Sequence, residues 1–220
     1  MDDPSKAEGT SWAWRISPSD GDRYPFSEAF LLQDPAAVAR SLLGSCVRST
    51  MGRVLSEGVI VETEAYVGPQ DPASHAAARI GKTQRNKSMF GPPGRAYVFR
   101  IYGVHWCLNV VTGEVGYPAA VLIRGLEPLS GAETMAHRRE GRTPLCAGPG
   151  RLAQALEVTG ELDGHDLRHP PLQLLRGWAV APSDIAVSGR VGVKNAADWP
   201  LRFYLRGHPD VSRGPHLELT

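Results

Sequence analysis

Apolar and polar positions alternate with a period of two through much of this 220-residue chain. The runs CVRSTM (46–51), VLSEGVIVETEAY (54–66), AYVFRIY (96–102), HWCLNVVT (105–112) and AAVLIRGLE (119–127) read as strands. LQLLRGWAV (172–180), SGRVGV (188–193) and PLRFYLRG (200–207) read as later ones. Gly and Pro punctuate them as in an antiparallel, hairpin-rich sheet. DPAAVARSLLG (34–44) predicts a short helix, with Asp34 as N-cap, Pro35 at the first helical position and Gly44 beyond its end. Helices are also predicted at 130–140, ended by Gly141, and at 150–158, ended by Gly160, with a loop at 161–171. The order lacks the βαβα rhythm of a parallel sheet, so the fold class expected is α+β with a curved antiparallel sheet. Residues 1–22 are polar and read as a partly disordered extension, which leaves 23–220 as a single domain.

Composition narrows the class. An apolar fraction of 42% suffices for a sizeable core, and no run is long enough for a membrane span. The start, MDDPSKAEGTS, resembles neither a secretory signal nor a transit peptide. Cys46, Cys107 and Cys146 are odd in number and far apart, with no CxxC pair or Cys/His cluster. They predict a reduced cytosolic protein with neither disulfide framework nor metal site. Net charge is only +1, which by itself argues against a nucleic-acid partner. Its distribution argues otherwise: residues 79–100 carry Arg79, Lys82, Arg85, Lys87, Arg95 and Arg100 and no acid. Such a patch grips phosphates or is simply a solvated loop.

Polar residues interrupt the strands at two informative places. Alternation in VIVETEAY (59–66) puts Val59, Val61, Thr63 and Ala65 on one face and Glu62, Glu64 and Tyr66 on the other. The polar stripe is the wet side of an edge strand, or the wall of a pocket holding a general base or a glycosidase-like acid/base pair. Arg124 breaks the strand 119–127, and is solvated at its end or paired with a facing carboxylate such as Glu64. In RAYVFRIYGVHWCLN (95–109), Tyr97, Phe99 and Ile101 share one face, while Tyr102-Gly103 falls at a hairpin tip. Strand aromatics are core residues or, beside a basic run, stacking platforms and wedges for nucleobases.

VETEAYVGPQDPASH, TQRNKSMFGPPGRAYVFRIYGVHWCLNVV, AAVLIRGLEPLSG, LCAGPGRLAQAL and RVGVKNAADWPLRFYLRG occur in this order. Together they closely resemble the alkyladenine (3-methyladenine or methylpurine) DNA glycosylase family, over about residues 24–210. The resemblance implies an open, barrel-like sheet flanked by short helices. It implies a monofunctional enzyme that flips alkylated or deaminated purines from duplex DNA and hydrolyses the N-glycosidic bond, leaving an abasic site. By the same resemblance Glu64 is the general base, with Arg124 and the Val191 carbonyl holding the water. Tyr66, His75 and Phe99 wall the base pocket, Asn109 rejects the amine of normal guanine, and Tyr102 fills the gap in the stack. The basic run 79–100 would grip the DNA backbone. No cofactor or metal is implied. The partner implied is double-stranded DNA containing damaged purines, the protein a monomer, and its place the cytoplasm and nucleoid of a bacterium or the nucleus of a eukaryote. The chain departs from the family pattern at Phe99, where a tyrosine is expected, at His105 and Trp106, and at Gln84 in place of proline. Glu62 has no chemical assignment and reads as structural. A catalytically idle reader of damaged DNA and a hydrolase of free nucleosides are the alternatives.

Overall fold

The computed structural model describes residues 23–214; the extension expected at 1–22 lies outside the described residues. Two short helices open the chain, α1 (Glu28–Leu31) and α2 (Pro35–Ser41). Five strands follow: β1 (Cys46–Ser49), β2 (Ser56–Tyr66), β3 (Ala96–Ile101), β4 (His105–Thr112) and β5 (Ala119–Ser130). Then come α3 (Ala132–Arg138), α4 (Pro149–Ala155), β6 (Leu172–Leu175), β7 (Ile185–Ser188) and β8 (Arg202–Leu205). The architecture is α+β, with one curved antiparallel sheet and a few short helices.

Capping chemistry sets the helix starts. The Asp34 carboxylate accepts from the N–H groups of Ala36 and Ala37, and Pro35 begins α2 where no donor is needed. The helix α1, which periodicity did not predict, is a single turn capped by Ser27. The strand expected at 188–193 ends at Ser188. Beyond it the Arg190 N–H donates to the Ala197 carbonyl at 2.8 Å and Gly192 has φ +77°, so 189–197 folds as a loop.

The sheet runs β3-β4-β5-β2-β1-β6, with β8 pairing both β2 and β7. One edge of β2 follows β5 along its length. Its other edge divides: β1 pairs with Ser56 to Val59, and β8 pairs with Glu62 to Glu64. Two of the three register shifts in the β2–β5 ladder fall at this fork, between Ile60 and Thr63. A bulge reverses side-chain direction. Ile60 and Val61 therefore both enter the main core, whereas Val59 packs with Cys46 and Leu175 in a separate cluster. Val59 thus leaves the face it was expected to share with Val61, because strict alternation does not survive a bulge.

The main core lies between one face of the sheet and the helices α2 and α4. Val61, Ala65, Leu108, Val110, Val121 and Ile123 meet Val38 and Ala39 from α2, Leu42 just beyond its end and Leu152 from α4. Truncating a buried leucine such as Leu152 to alanine costs about 2–5 kcal/mol. Neighbouring register pairs align Tyr97, Asn109, Leu122, Glu64 and Arg202 in one row across β3, β4, β5, β2 and β8. This row lies on the face away from that core. The rows on either side carry Phe99 with Cys107 in one, and Tyr66 with Ala120 and Val111 in the other.

Candidate active site

The fork in β2 explains how two acids come to be buried on one strand. Segment 208–212 crosses β5 at Gly125, where a Cβ would lie 2.8 Å from the Asp210 carbonyl oxygen. This close approach brings Ser212 to Glu62, whose Oε2 accepts from the Ser212 N–H at 2.7 Å and whose Oε1 accepts from its hydroxyl at 2.9 Å. Arg202 from β8 and Arg124 from β5 donate Nε–H to the same Oε1, at 2.7 and 2.9 Å. Glu62 is therefore saturated, as its structural reading requires.

Glu64, two residues on, has no exposed surface. Its Oε1 accepts from the Val191 N–H at 2.7 Å and its Oε2 from the Tyr66 hydroxyl at 3.1 Å. The Arg124 Nε lies 3.4 Å from Oε1, so this arginine is shared between both glutamates and is not solvated. Burial pushes the Glu64 carboxyl above the usual carboxylate range; Arg124 and the Val191 N–H pull it back, against the neighbouring Glu62 charge. Burial also pushes the Tyr66 phenol well up, with the Glu64 charge adding to it, so Tyr66 keeps the proton it donates. Burial works against the charge of Arg124, but Glu64 and Glu62 outweigh it and raise its pKa.

A cavity of about 390 Å³ opens beside these groups, bordered by Tyr66, His75, Phe99, Tyr102, Asn109, Arg124 and Val191. All seven were expected at the site from sequence, and the cavity brings them together. Glu64 stands behind the wall formed by Tyr66, Arg124 and Val191. The His75 Nδ1 is 2.9 Å from the Tyr97 hydroxyl, and its ring meets Phe99 edge-on at 4.4 Å. Burial lowers the His75 pKa, and Arg85 lowers it further, so the imidazole is neutral near pH 7. The Asn109 amide donates to the Tyr97 carbonyl at 3.0 Å, which fixes its orientation. Tyr102, at the β3–β4 tip, is 83% exposed and has φ +53°. A large exposed aromatic in the left-handed region is strained, as residues at functional sites often are. Among the described residues no three His, Cys, Asp or Glu gather as a cation would need.

The chain matches the methylpurine-DNA glycosylase family over residues 29–209. It is 49% identical over 191 residues to a protein of Methanoculleus marisnigri, covering 84% of this chain and 97% of that one. A Carboxydothermus hydrogenoformans protein is 46% identical over 84% of this chain and 96% of its own length, and an Agrobacterium fabrum protein 46% over 84% and 91%. All three are provisionally named 3-methyladenine DNA glycosylases. The chain belongs to the methylpurine-DNA glycosylase family. That family consists of N-glycosyl hydrolases, and the matched region contains the whole cavity wall.

The basic run does not converge on one point. Arg79 borders the cavity, while Lys82, Arg85, Lys87 and Arg100 are exposed. Arg85 donates to the Arg100 carbonyl and lies 5.8 Å from the Phe99 ring centre; Arg100 lies 5.2 Å from that of Trp106. Arg95 is half-buried and 3.6 Å from Asp166. His105 and Trp106 brace the hairpin: a Cβ on Gly150 would lie 2.9 Å from His105, and one on Gly160 2.7 Å from Trp106. They also border a second cavity of about 690 Å³ beside α3 and α4.

Sequence reasoning missed three residues of this glycosylase-family site. Tyr97 reads as core yet borders the cavity and holds His75. Asp71 and Arg190 form a fully buried pair behind Tyr66. Asp71 lies inside the stretch VETEAYVGPQDPASH and Arg190 inside RVGV, but nothing in either says that partners 119 positions apart meet.

Proposed function

We propose that this protein is a monofunctional DNA glycosylase that releases alkylated or deaminated purines from duplex DNA and leaves an abasic site. The observation that carries the reading is Glu64: a carboxylate closed to bulk solvent, held by Val191, Tyr66 and Arg124 at the wall of an aromatic cavity. A buried acid with a raised pKa, kept ionisable by three donors, is suited to take a proton from water.

In this mechanism Tyr102 enters the minor groove and replaces the extruded nucleotide in the stack, offsetting part of the few kcal/mol that unstacking costs. The purine lies against Tyr66, with His75 and Phe99 opposite and Asn109 reading its edge. Water held by Arg124 and the Val191 carbonyl attacks C1′ of the deoxyribose. The C1′–N9 bonding pair leaves with the base, and the water proton passes to Glu64. The anionic carboxylate also stabilises the oxocarbenium-like transition state. Phe99 supplies a stacking face without a hydroxyl. The exposed cations Arg79, Lys82, Lys87 and Arg100 are suited to hold phosphates, and Arg85 and Arg95 belong to the same group in sequence. The protein works as a monomer on double-stranded DNA, in the compartment that holds the chromosome.

The test is abasic-site formation in a duplex carrying one hypoxanthine or one ethenoadenine. Wild type is expected to cleave, and Glu64→Gln to bind the same duplex without cleaving. A wild type that binds but leaves the base attached identifies a reader. One that cleaves free nucleosides but not duplex identifies a nucleoside hydrolase.

A further inference from the structure

Behind Tyr66 lies a second charged assembly that the glycosylase chemistry above does not use. Arg190 is fully buried, and its guanidinium carbon sits 4.9 Å from the centre of the Tyr66 ring. Tyr66 borders the cavity and Arg190 does not. The arginine therefore covers one face of the ring, and the other faces the space offered to a base. Asp71 grips the guanidinium with both oxygens, at 2.5 Å from one terminal nitrogen and 2.8 Å from the other. The same nitrogens donate to the carbonyls of Ala65 at 3.1 Å and Ala196 at 3.3 Å. Asp71 also accepts from the N–H groups of Val67 and Ala73, which fixes it in place.

We propose that Asp71 is a specificity-determining residue: by neutralising Arg190 behind Tyr66, it keeps the free face of that ring available to a cationic base. The inference rests on the glycosylase reading, since it needs a purine stacked on Tyr66. An aromatic face attracts cations through its quadrupole. A bare guanidinium on the opposite face opposes that attraction. Stacking would place the two cations on the order of 9 Å apart. At that distance in a protein interior, an uncompensated charge shifts the preference for a cationic over a neutral base about tenfold. With Asp71 in place the arginine keeps its packing on the ring while its charge is cancelled. Purines alkylated at N3 or N7 in DNA are cationic, and hypoxanthine is neutral, so the pair Asp71–Arg190 sets the balance between these two lesion classes.

The experiment measures two single-turnover rates on each preparation: release of 3-methyladenine from methylated duplex DNA, and of hypoxanthine from a duplex carrying one such base. Their ratio does not depend on the active fraction, so partial misfolding leaves it readable. Asp71→Asn is expected to lower the 3-methyladenine to hypoxanthine ratio about tenfold. The double variant Asp71→Asn/Arg190→Met, which removes both charges, is expected to return it to the wild-type value. Should Asp71→Asn fail to fold, Arg190→Gln leaves the carboxylate behind the ring and is expected to move the ratio upward. A purely structural role for the pair slows both rates together and moves the ratio in no variant. That outcome overturns the inference and leaves the glycosylase reading standing. A wild type that releases neither base overturns both.

Discussion

Glu62 and Glu64 leave β2 on the same face, both closed to bulk solvent, yet their surroundings differ in kind. Glu62 receives four hydrogen bonds, from two arginines and from the hydroxyl and N–H of one serine. Glu64 receives one backbone N–H and one phenol, shares Arg124 with its neighbour, and stands behind a cavity wall made by those same partners. Burial alone therefore does not mark a chemical residue. A carboxylate held by strong donors on every side has nothing left to offer a water molecule. One held by fewer, and parted from a cavity only by its own hydrogen-bond partners, is the better candidate.

The largest effect expected separates the two acids. Glu64→Gln is expected to lose about 10²–10⁴ of the single-turnover excision rate, the range attributed to a general base. Its fold survives, because Arg124 keeps its bond to Glu62. Glu62→Gln is expected to do the reverse. It strands Arg202 and half of Arg124 in a dry interior, at about 3–5 kcal/mol of stability, with excision per folded molecule much less changed. Urea denaturation of both variants beside excision kinetics makes the comparison. Equal stability losses, or an active Glu64→Gln, would erase the distinction.

Tyr102→Ala ranks next. The strained, exposed tyrosine contributes nothing to the core, so stability is expected to hold. Excision from a fully paired duplex is expected to slow about tenfold, a modest part of the unstacking cost. The defect should shrink when the same lesion lies in a single-stranded segment, where there is no stack to refill. A variant equally slow on both substrates would place Tyr102 in the pocket and not in the helix.

The legible part of the molecule was local. Asp34-Pro35 announced α2, and Gly103 announced the turn that presents Tyr102, because caps and turns are written in adjacent residues. Periodicity placed Tyr97, Phe99 and Ile101 on one face, and the cavity is lined by all three. Alternation failed at Ile60–Thr63, since a bulge is specified by which strands pair on either side, and pairing partners are distant in sequence. For the same reason Glu62 could be read as structural while Arg202 and Ser212 went unseen. The site residues as a set came from resemblance to known glycosylases; spacing alone left a wet edge strand as an equal reading.

The smallest effect concerns pH and ties stability and activity to the titration of Glu64. The folded state raises the Glu64 pKa, chiefly through burial, above its unfolded value. Folding therefore favours the protonated form. The stabilisation is complete below the unfolded carboxylate pKa and fades as pH climbs through the folded one. Glu64→Gln cannot titrate, so its stability relative to wild type is expected to rise across that window and then level off. With Glu64 as the proposed base the same folded pKa would govern activity, because a protonated carboxyl cannot accept a proton from water. The acid limb of wild-type excision should thus have its midpoint where the stability difference flattens. Denaturation and kinetics would be read over one pH series. Two clearly different midpoints would mean that the acid limb belongs to another group, and that Glu64 is not the base.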